Sequence, residues 1–334
     1  MVGLIASRTP STHCILTANS PGITKVPTMT TDRVVLSALL AELVLRQLPC
    51  GGWAALAASS QPALEPTCFS SLALGSFPGS ALERAQEFLV KTQNSNGSWP
   101  AFAGDDSDGA WVTSLVVMAL RDVVPAIPAR LQGFHWLMNC AGKESNWFWK
   151  WKFRTADRRV RFDPEKFGWP WFPETVSWVV PTAFAVLALN QLPCSCGGFE
   201  QAPFRVERGV EMLLDRACPG GGWNAGNGVV YGVPLAAHAD DTAIALLALR
   251  EHRVEPIVQS SVQYLERIAP TLTAPWSLAW AILALAAYGH PVDSIYSSLV
   301  AIPDLSRVDD TSTLALVCLA LDYQRTLSDL GVTS

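Results

Sequence analysis

Six stretches of the chain are apolar at nearly every position and close on the same three letters. SSLAL (to Leu74), SLVVMAL (to Leu120), TAFAVLAL (to Leu189), TAIALLAL (to Leu249), LAWAILAL (to Leu285) and ALVCLAL (to Leu321) all end in Leu or Met-Ala-Leu or its close variant, and the last three endings stand 36 residues apart. An Ala-rich run that is apolar around its whole circumference predicts a helix enclosed on every side. Between these runs lie segments of a second kind, such as residues 80–93, 205–217 and 256–269. Their apolar residues recur every three or four positions with charges between them, which buries one stripe and wets the other. The chain therefore alternates outer, half-buried helices with inner, enclosed ones, as a helical repeat array does.

The link from outer to inner helix repeats as well. In RAQEFLVKTQNSNGSW, residues Arg84, Ala85, Phe88, Leu89, Gln93, Gly97 and Trp99 stand at offsets that recur as Gln47, Gly51 and Trp53, and as Arg208, Gly209, Met212, Leu213, Gly221 and Trp223. A third copy reads as Trp136, Leu137 and Trp147. This pattern resembles the QW repeat of squalene-hopene cyclases and other class II terpene cyclases, which share a superfamily with protein prenyltransferase beta subunits. The resemblance covers roughly residues 31–325 and implies an all-α (α/α)6 toroid of six inner and six outer helices. It also implies that Gln47, Trp53, Gln93, Trp99 and Trp223 stabilise the fold, and that activity must be argued from the site.

Between Leu120 and Leu189 the spacing doubles to 69 residues, so something is inserted. Residues 146–178, NWFWKWKFRTADRRVRFDPEKFGWPWFPETVSW, alternate aromatic and basic side chains around a TAD turn. That alternation predicts a small β-hairpin with strands Trp147 to Phe153 and Arg158 to Phe162. The insertion either covers the open end of the toroid with tryptophan or meets a ligand. In the second case Lys150, Lys152, Arg154, Arg158, Arg159 and Arg161 would face an anionic group, and Trp169, Trp171 and Trp178 a hydrophobic one.

In an alternating toroid all inner helices run the same way, so the residues before them gather at one mouth. There the sequence places Asp105, Asp106, Asp108, Trp111, Glu174, Trp178, His238, Asp240, Asp241, Trp276, Asp309 and Asp310. HADDTA (238–243) is similar to the DxDD motif with which class II cyclases protonate an alkene or epoxide, except that His238 replaces its first aspartate. On that resemblance Asp240 is the general acid, with Asp241 and His238 beside it, and Trp111, Trp169, Trp171, Trp178, Trp276, Glu174, Asp309 and Asp310 surround the substrate. Both aspartate pairs precede a threonine and would equally serve as helix caps. GDDSDG offers Asp105, Asp106 and Asp108 as oxygen ligands for Mg2+ if the substrate carries a diphosphate; otherwise no cofactor is required.

Three functions follow. The first is a protonation-initiated cyclase acting on a hydrophobic isoprenoid, its second wall coming from a homodimer, a partner subunit or the insertion. The second is a non-catalytic toroid that binds an isoprenoid or a protein. The third is a carbohydrate-active toroid using a carboxylate pair from Asp106, Asp108, Glu174 and Asp240.

Composition narrows the partners. The net charge is -5 and only 16% of residues are charged, which excludes a nucleic-acid partner and predicts a large core. No run reaches the ~18 apolar residues of a membrane span, so contact with a membrane would be peripheral. Eight scattered cysteines without CxxC spacing suit a cytoplasmic chain with reduced thiols. Residues 1–30 carry no acidic residue and no apolar period, and are expected to form a disordered or non-native tail.

Overall fold

The computed structural model describes residues 29–75, 77, 79–105, 108–155, 162–192 and 197–332. Its helices run in chain order as α1 (Met29–Leu45), α2 (Leu64–Leu74), α3 (Ser80–Lys91), α4 (Val112–Ala119), α5 (Ile127–Asn139), α6 (Trp147–Thr155) and α7 (Val179–Leu189). They continue as α8 (Ala202–Arg216), α9 (Ala239–Ala248), α10 (Pro256–Ile268), α11 (Pro275–Ala287), α12 (Asp293–Val300), α13 (Thr311–Leu321) and α14 (Tyr323–Leu330). The six apolar runs are α2, α4, α7, α9, α11 and α13. Each packs on the next, and α13 returns to pack on α2, closing the ring. Helices α1, α3, α5, α8, α10 and α12 lie outside it, so the fold is an (α/α)6 toroid.

The inner helices are enclosed as their composition predicts. Every residue of α7 except Val180 is buried, as is every residue of α13 except Thr313. The expected tail at residues 1–30 falls almost wholly outside the described residues, and α1 begins at Met29.

A clamp repeated four times holds inner helices to outer ones. Trp53, Trp99, Trp169 and Trp223 are each 0–2% exposed. Their indole N–H groups donate to Leu43 O (2.7 Å), Leu89 O (2.6 Å), Leu137 O (2.8 Å) and Leu213 O (2.7 Å), near the ends of outer helices. Their backbone N–H groups donate to the hydroxyls of Thr67, Thr113, Thr182 and Thr242, in the first turn of inner helices. Each tryptophan thus satisfies polar groups that a buried helix end would otherwise leave unpaired. Gln47 and Gln93 add a tie to the neighbouring hairpin, donating to Ala81 O and Ala129 O at 2.7 Å.

Gly97 shows why the link needs glycine. Its φ is +90°, and a Cβ there would lie 2.6 Å from the carbonyl oxygen of Gln132 on the adjoining outer helix.

Two sequence expectations are corrected. The third clamp is made by Trp169, not Trp147, because the insertion separates Leu137 from its tryptophan; Trp147 is 77% exposed. The hairpin expected within 147–162 is not formed where it was placed: residues 147–155 are the helix α6, and Arg158 to Arg161 lie outside the described residues. Antiparallel pairs occur elsewhere. β1 (Trp53–Ala54) pairs with β2 (Pro62–Ala63), and β3 (Val229–Val230) forms a small hairpin with β4 (Val233–Pro234).

The lower end of the ring is closed by α14. Arg325 donates to Leu72 O at 3.2 Å and pairs with Asp322 and Asp329, while Arg130 reaches Val117 O and Arg250 reaches Ala287 O. These cations meet the carbonyl ends of the inner helices, where partial negative charge collects. Replacing Trp223 by Phe keeps the ring and strands Leu213 O, so chemical denaturation should show a loss of about 1–3 kcal/mol.

Candidate active site at the barrel mouth

The clamp fixes the register of four of the six inner helices. Counting two residues back from the clamped threonines Thr67, Thr113, Thr182 and Thr242 gives Glu65, Trp111, Val180 and Asp240. Two residues forward gives Phe69, Leu115, Phe184 and Ile244, one helical turn deeper on the same face. In the two inner helices without such a clamp, Trp276 over Trp280 and Ser312 over Leu316 complete the two layers. The deeper layer is tied together by contact, Phe69 meeting Phe184 and Trp280 edge to face at 6.4 and 6.0 Å and Phe184 meeting Trp280 at 5.9 Å, and Trp276 joins it from the upper layer at 6.1 Å from Phe69. Trp111 adds to this floor, 5.6 Å from Phe184.

Below the floor the barrel is filled. A cavity of about 20 Å³ remains between Phe69, Leu115, Phe184, Trp280 and Leu316, with Thr326 and Leu330 of α14 at its base. The indole N–H of Trp280 is buried here without an acceptor among the described residues.

Glu65 stands in the upper layer above Phe69, and the sequence reading passed it over. Burial first, and then the charge of Asp310, push its carboxyl from 4.5 up to about 7 against a hydrogen bond with Ser312 that opposes the rise. A large fraction of Glu65 is thus protonated near neutral pH, one helical turn above Phe69. Its signal in the sequence was its place at the start of the first LAL run, in the position that Asp240 occupies in the fourth. As α2 and α9 are three places apart in a ring of six, Glu65 and Asp240 face each other across the mouth.

The remaining expected residues divide. Trp171 meets Trp111 edge to face at 5.0 Å, while Trp276 meets Phe69 at 6.1 Å and Trp280 at 5.8 Å. Trp169 is spent on the framework clamp, which removes it from the ligand wall. Trp178 is the residue at the N-cap of α7. His238 Nδ1 lies 2.9 Å from Asp241 Oδ2, so the histidine orients Asp241 and not Asp240. Burial raises the Asp241 carboxyl, and the bond to His238 pulls it back. Asp310 caps α13, accepting from Thr313 N at 2.6 Å. Asp309 and Glu174 are exposed, and Glu174 has a left-handed backbone with φ of 62°. Asp105 and Asp108 are exposed, Asp106 lies outside the described residues, and among the described residues no three His, Cys, Asp or Glu side chains could hold a metal ion.

No family model matches this chain, and neither does any curated protein. Solved structures share its fold. The type II terpene cyclase MstE from Scytonema is 14% identical with a TM-score of 0.56, the match covering 89% of this chain and 99% of that one. An endo-beta-1,4-glucanase, CMCax from Acetobacter xylinum, is 11% identical with a TM-score of 0.57, covering 88% and 98%. A protein from Actinoplanes is 17% identical with a TM-score of 0.55, covering 89% and 99%. The toroid is therefore common to enzymes of unlike chemistry, and its mouth must be read from its own residues.

The state of Glu65 has a sign that can be measured. Its folded pKa exceeds the unfolded one, so folding binds the proton; this contribution is complete below about 4.5 and is lost as pH rises through about 7. Glu65→Gln keeps a neutral group at every pH. Its stability relative to the parent should therefore rise by about 3 kcal/mol between about pH 4 and about pH 8 in denaturant titrations. Asp310→Asn, which keeps the cap, should move the parent's midpoint to lower pH.

Proposed function

We propose that this chain is an acid-initiated isoprenoid cyclase of the class II type, working at the mouth of the toroid. The observation that carries the reading is a carboxyl whose pKa is raised to about 7, one helical turn above Phe69, whose ring meets Phe184, Trp276 and Trp280. Adding a proton to an alkene needs a donor that is protonated, poorly solvated and near the double bond. The cation it creates needs a surface that stabilises charge without reacting, which the faces of aromatic rings provide.

In this reading Glu65 delivers the proton to a terminal alkene carbon, and a ring bond forms as each successive double bond attacks the cation. Asp240, opposite, removes a proton at the end to restore an alkene. The reaction is an isomerisation, and the two carboxyls regain their protonation states through solvent at the open mouth. The resemblance of HADDTA to DxDD points to Asp240 as donor; the environment of Glu65 supports assigning the donor to α2. Trp171 and Trp111 form the upper wall, so the insertion supplies part of the cover over the substrate.

A second reading rests on the same geometry. Two carboxyls facing each other, one of them protonated, are also what glycoside hydrolysis uses, the acid on the leaving oxygen and the base on water or the sugar. Mass spectrometry after incubation with farnesyl diphosphate, geranylgeranyl diphosphate, squalene and cello-oligosaccharides separates the two. The expected result is a cyclised isomer from an isoprenoid and no cleavage of the sugars. Glu65→Gln should lower the rate about 10²–10⁴-fold and Asp240→Asn should change the product or the rate. Turnover unchanged in Glu65→Gln would remove the assignment, and sugar release would replace it with the second reading.

A further inference from the structure

The third repeat carries an ion cluster that the ring itself does not use. In the other three clamps the tryptophan follows its outer-helix acceptor by 10 residues, from Leu43 to Trp53, Leu89 to Trp99 and Leu213 to Trp223. In the third, Leu137 and Trp169 are 32 residues apart, and the indole bond still forms at 2.8 Å. The added length is therefore not needed to hold an inner helix in register. Within it lies Glu144, a carboxylate that is 0% exposed.

Both carboxylate oxygens of Glu144 accept from the backbone N–H of Ser177, at 3.1 and 3.2 Å. Its ion-pair partner among the described residues is Arg216, itself 3% exposed, and the two are 4.0 Å apart. Arg216 lies closer to Asp215, at 2.5 Å, and stands over the ring of Phe162 at 4.1 Å. A carboxylate taken wholly out of water with its cation at that distance is a poor source of stability, and an apolar side chain of similar volume would serve the fold as well. The surrounding space is closed too. Gly142 has an ordinary φ of -59°, yet a Cβ there would lie 2.5 Å from Glu144 Oε2 and 2.7 Å from Ser177 N. Position 142 stays bare so that the carboxylate can reach Ser177.

What Ser177 holds is a loop at the mouth. Pro170 and Ser177 form an antiparallel bridge, and Ser177 Oγ accepts from Gly168 N at 2.8 Å, so residues 170–177 are pinned at both ends. Lys143 N, next to Glu144, donates to Thr175 O at 2.9 Å. Trp171 carries the loop to the barrel. Its carbonyl oxygen accepts from Trp111 N at 3.0 Å, and its ring meets that of Trp111, which in turn meets Phe184. A continuous series of contacts thus runs from a carboxylate on no inner helix to the aromatic floor.

We propose that Glu144, backed by Arg216, is a positioning residue that fixes Ser177 and, through it, the loop that sets Trp171 against Trp111. It touches no substrate; it determines how firmly the upper wall stands over one. This deepens the cyclase reading and rests on it for the meaning of the wall, but the placement of Trp171 can be measured without turnover.

Hydrogen exchange of the full chain, followed by mass spectrometry, tests it. Glu144→Gln keeps an acceptor for Ser177 N and removes the charge that faces Arg216. The Trp111 amide, bonded to Trp171 O, should then exchange about tenfold faster or more, while the amides of Trp53, Trp99 and Trp223, bonded to their threonines, exchange as in the parent. Gly142→Ala, which crowds the same carboxylate, should have the same local effect. With an isoprenoid that is turned over, Glu144→Gln should raise KM about three- to tenfold with kcat near the parent's, and should add nothing in a chain already carrying Trp171→Ala. Exchange at Trp111 equal to the parent's would overturn the proposal, because the loop then stays in place without the charge. Exchange raised equally at all four tryptophans, or a failure to fold, would overturn it as well, since either is a loss of overall stability. Additive effects of Glu144→Gln and Trp171→Ala on KM would have the same force. A chain that turns over no isoprenoid while Trp111 alone exchanges faster removes the cyclase reading and keeps the role of Glu144.

Discussion

Four of the six inner helices that form the mouth are set in register through indole N–H groups. A helix buried on all sides cannot leave its end groups to water, so each junction between an outer and an inner helix must provide partners from within. The tryptophan at the junction does this at both ends of itself, through its ring to the outer helix and through its backbone to a threonine on the inner one. The threonine then fixes which face of the inner helix looks into the barrel. A framework bond thereby sets the position of chemistry two residues away.

The parallel run of the inner helices has an electrostatic consequence. Their carbonyl ends meet Arg130, Arg250 and Arg325, and their amide ends collect Glu65, Asp240, Asp241 and Asp310. Aligned helix dipoles favour this sorting of charge at both ends. At Glu65 the sorting is overruled. A dipole that favours the anion is outweighed by loss of water and by the nearby charge of Asp310, so the group is held as an acid where an ordinary cap would be ionised.

The helices were legible in the sequence because burial on all sides is written locally, in runs of Ala, Leu and Val. The gathering of Trp111, Trp276 and Asp240 at one end followed from the alternation. Glu65 was not legible, since a glutamate in the first turn of a helix is ordinary and its environment is made by Asp310 and Ser312, which arrive from the far end of the chain. The helix α6 was mistaken for a strand because WKWKFR alternates, yet its Trp147 and Trp151 are also four apart and share a helical face. Trp169 was misassigned because the inserted residues hide its distance from Leu137.

The closure of the ring has a bearing on how the site comes into being. Glu65 belongs to the first inner helix and Asp240 to the fourth, so the two come into opposition only after more than half of the circuit has been laid down. The same circuit is completed by α13 packing against α2, the contact that also brings Asp310 to Glu65. Ring closure thus brings both the charge that raises the Glu65 carboxyl and the Ser312 hydrogen bond that opposes it, so the last hairpin tunes a side chain near the start of the circuit.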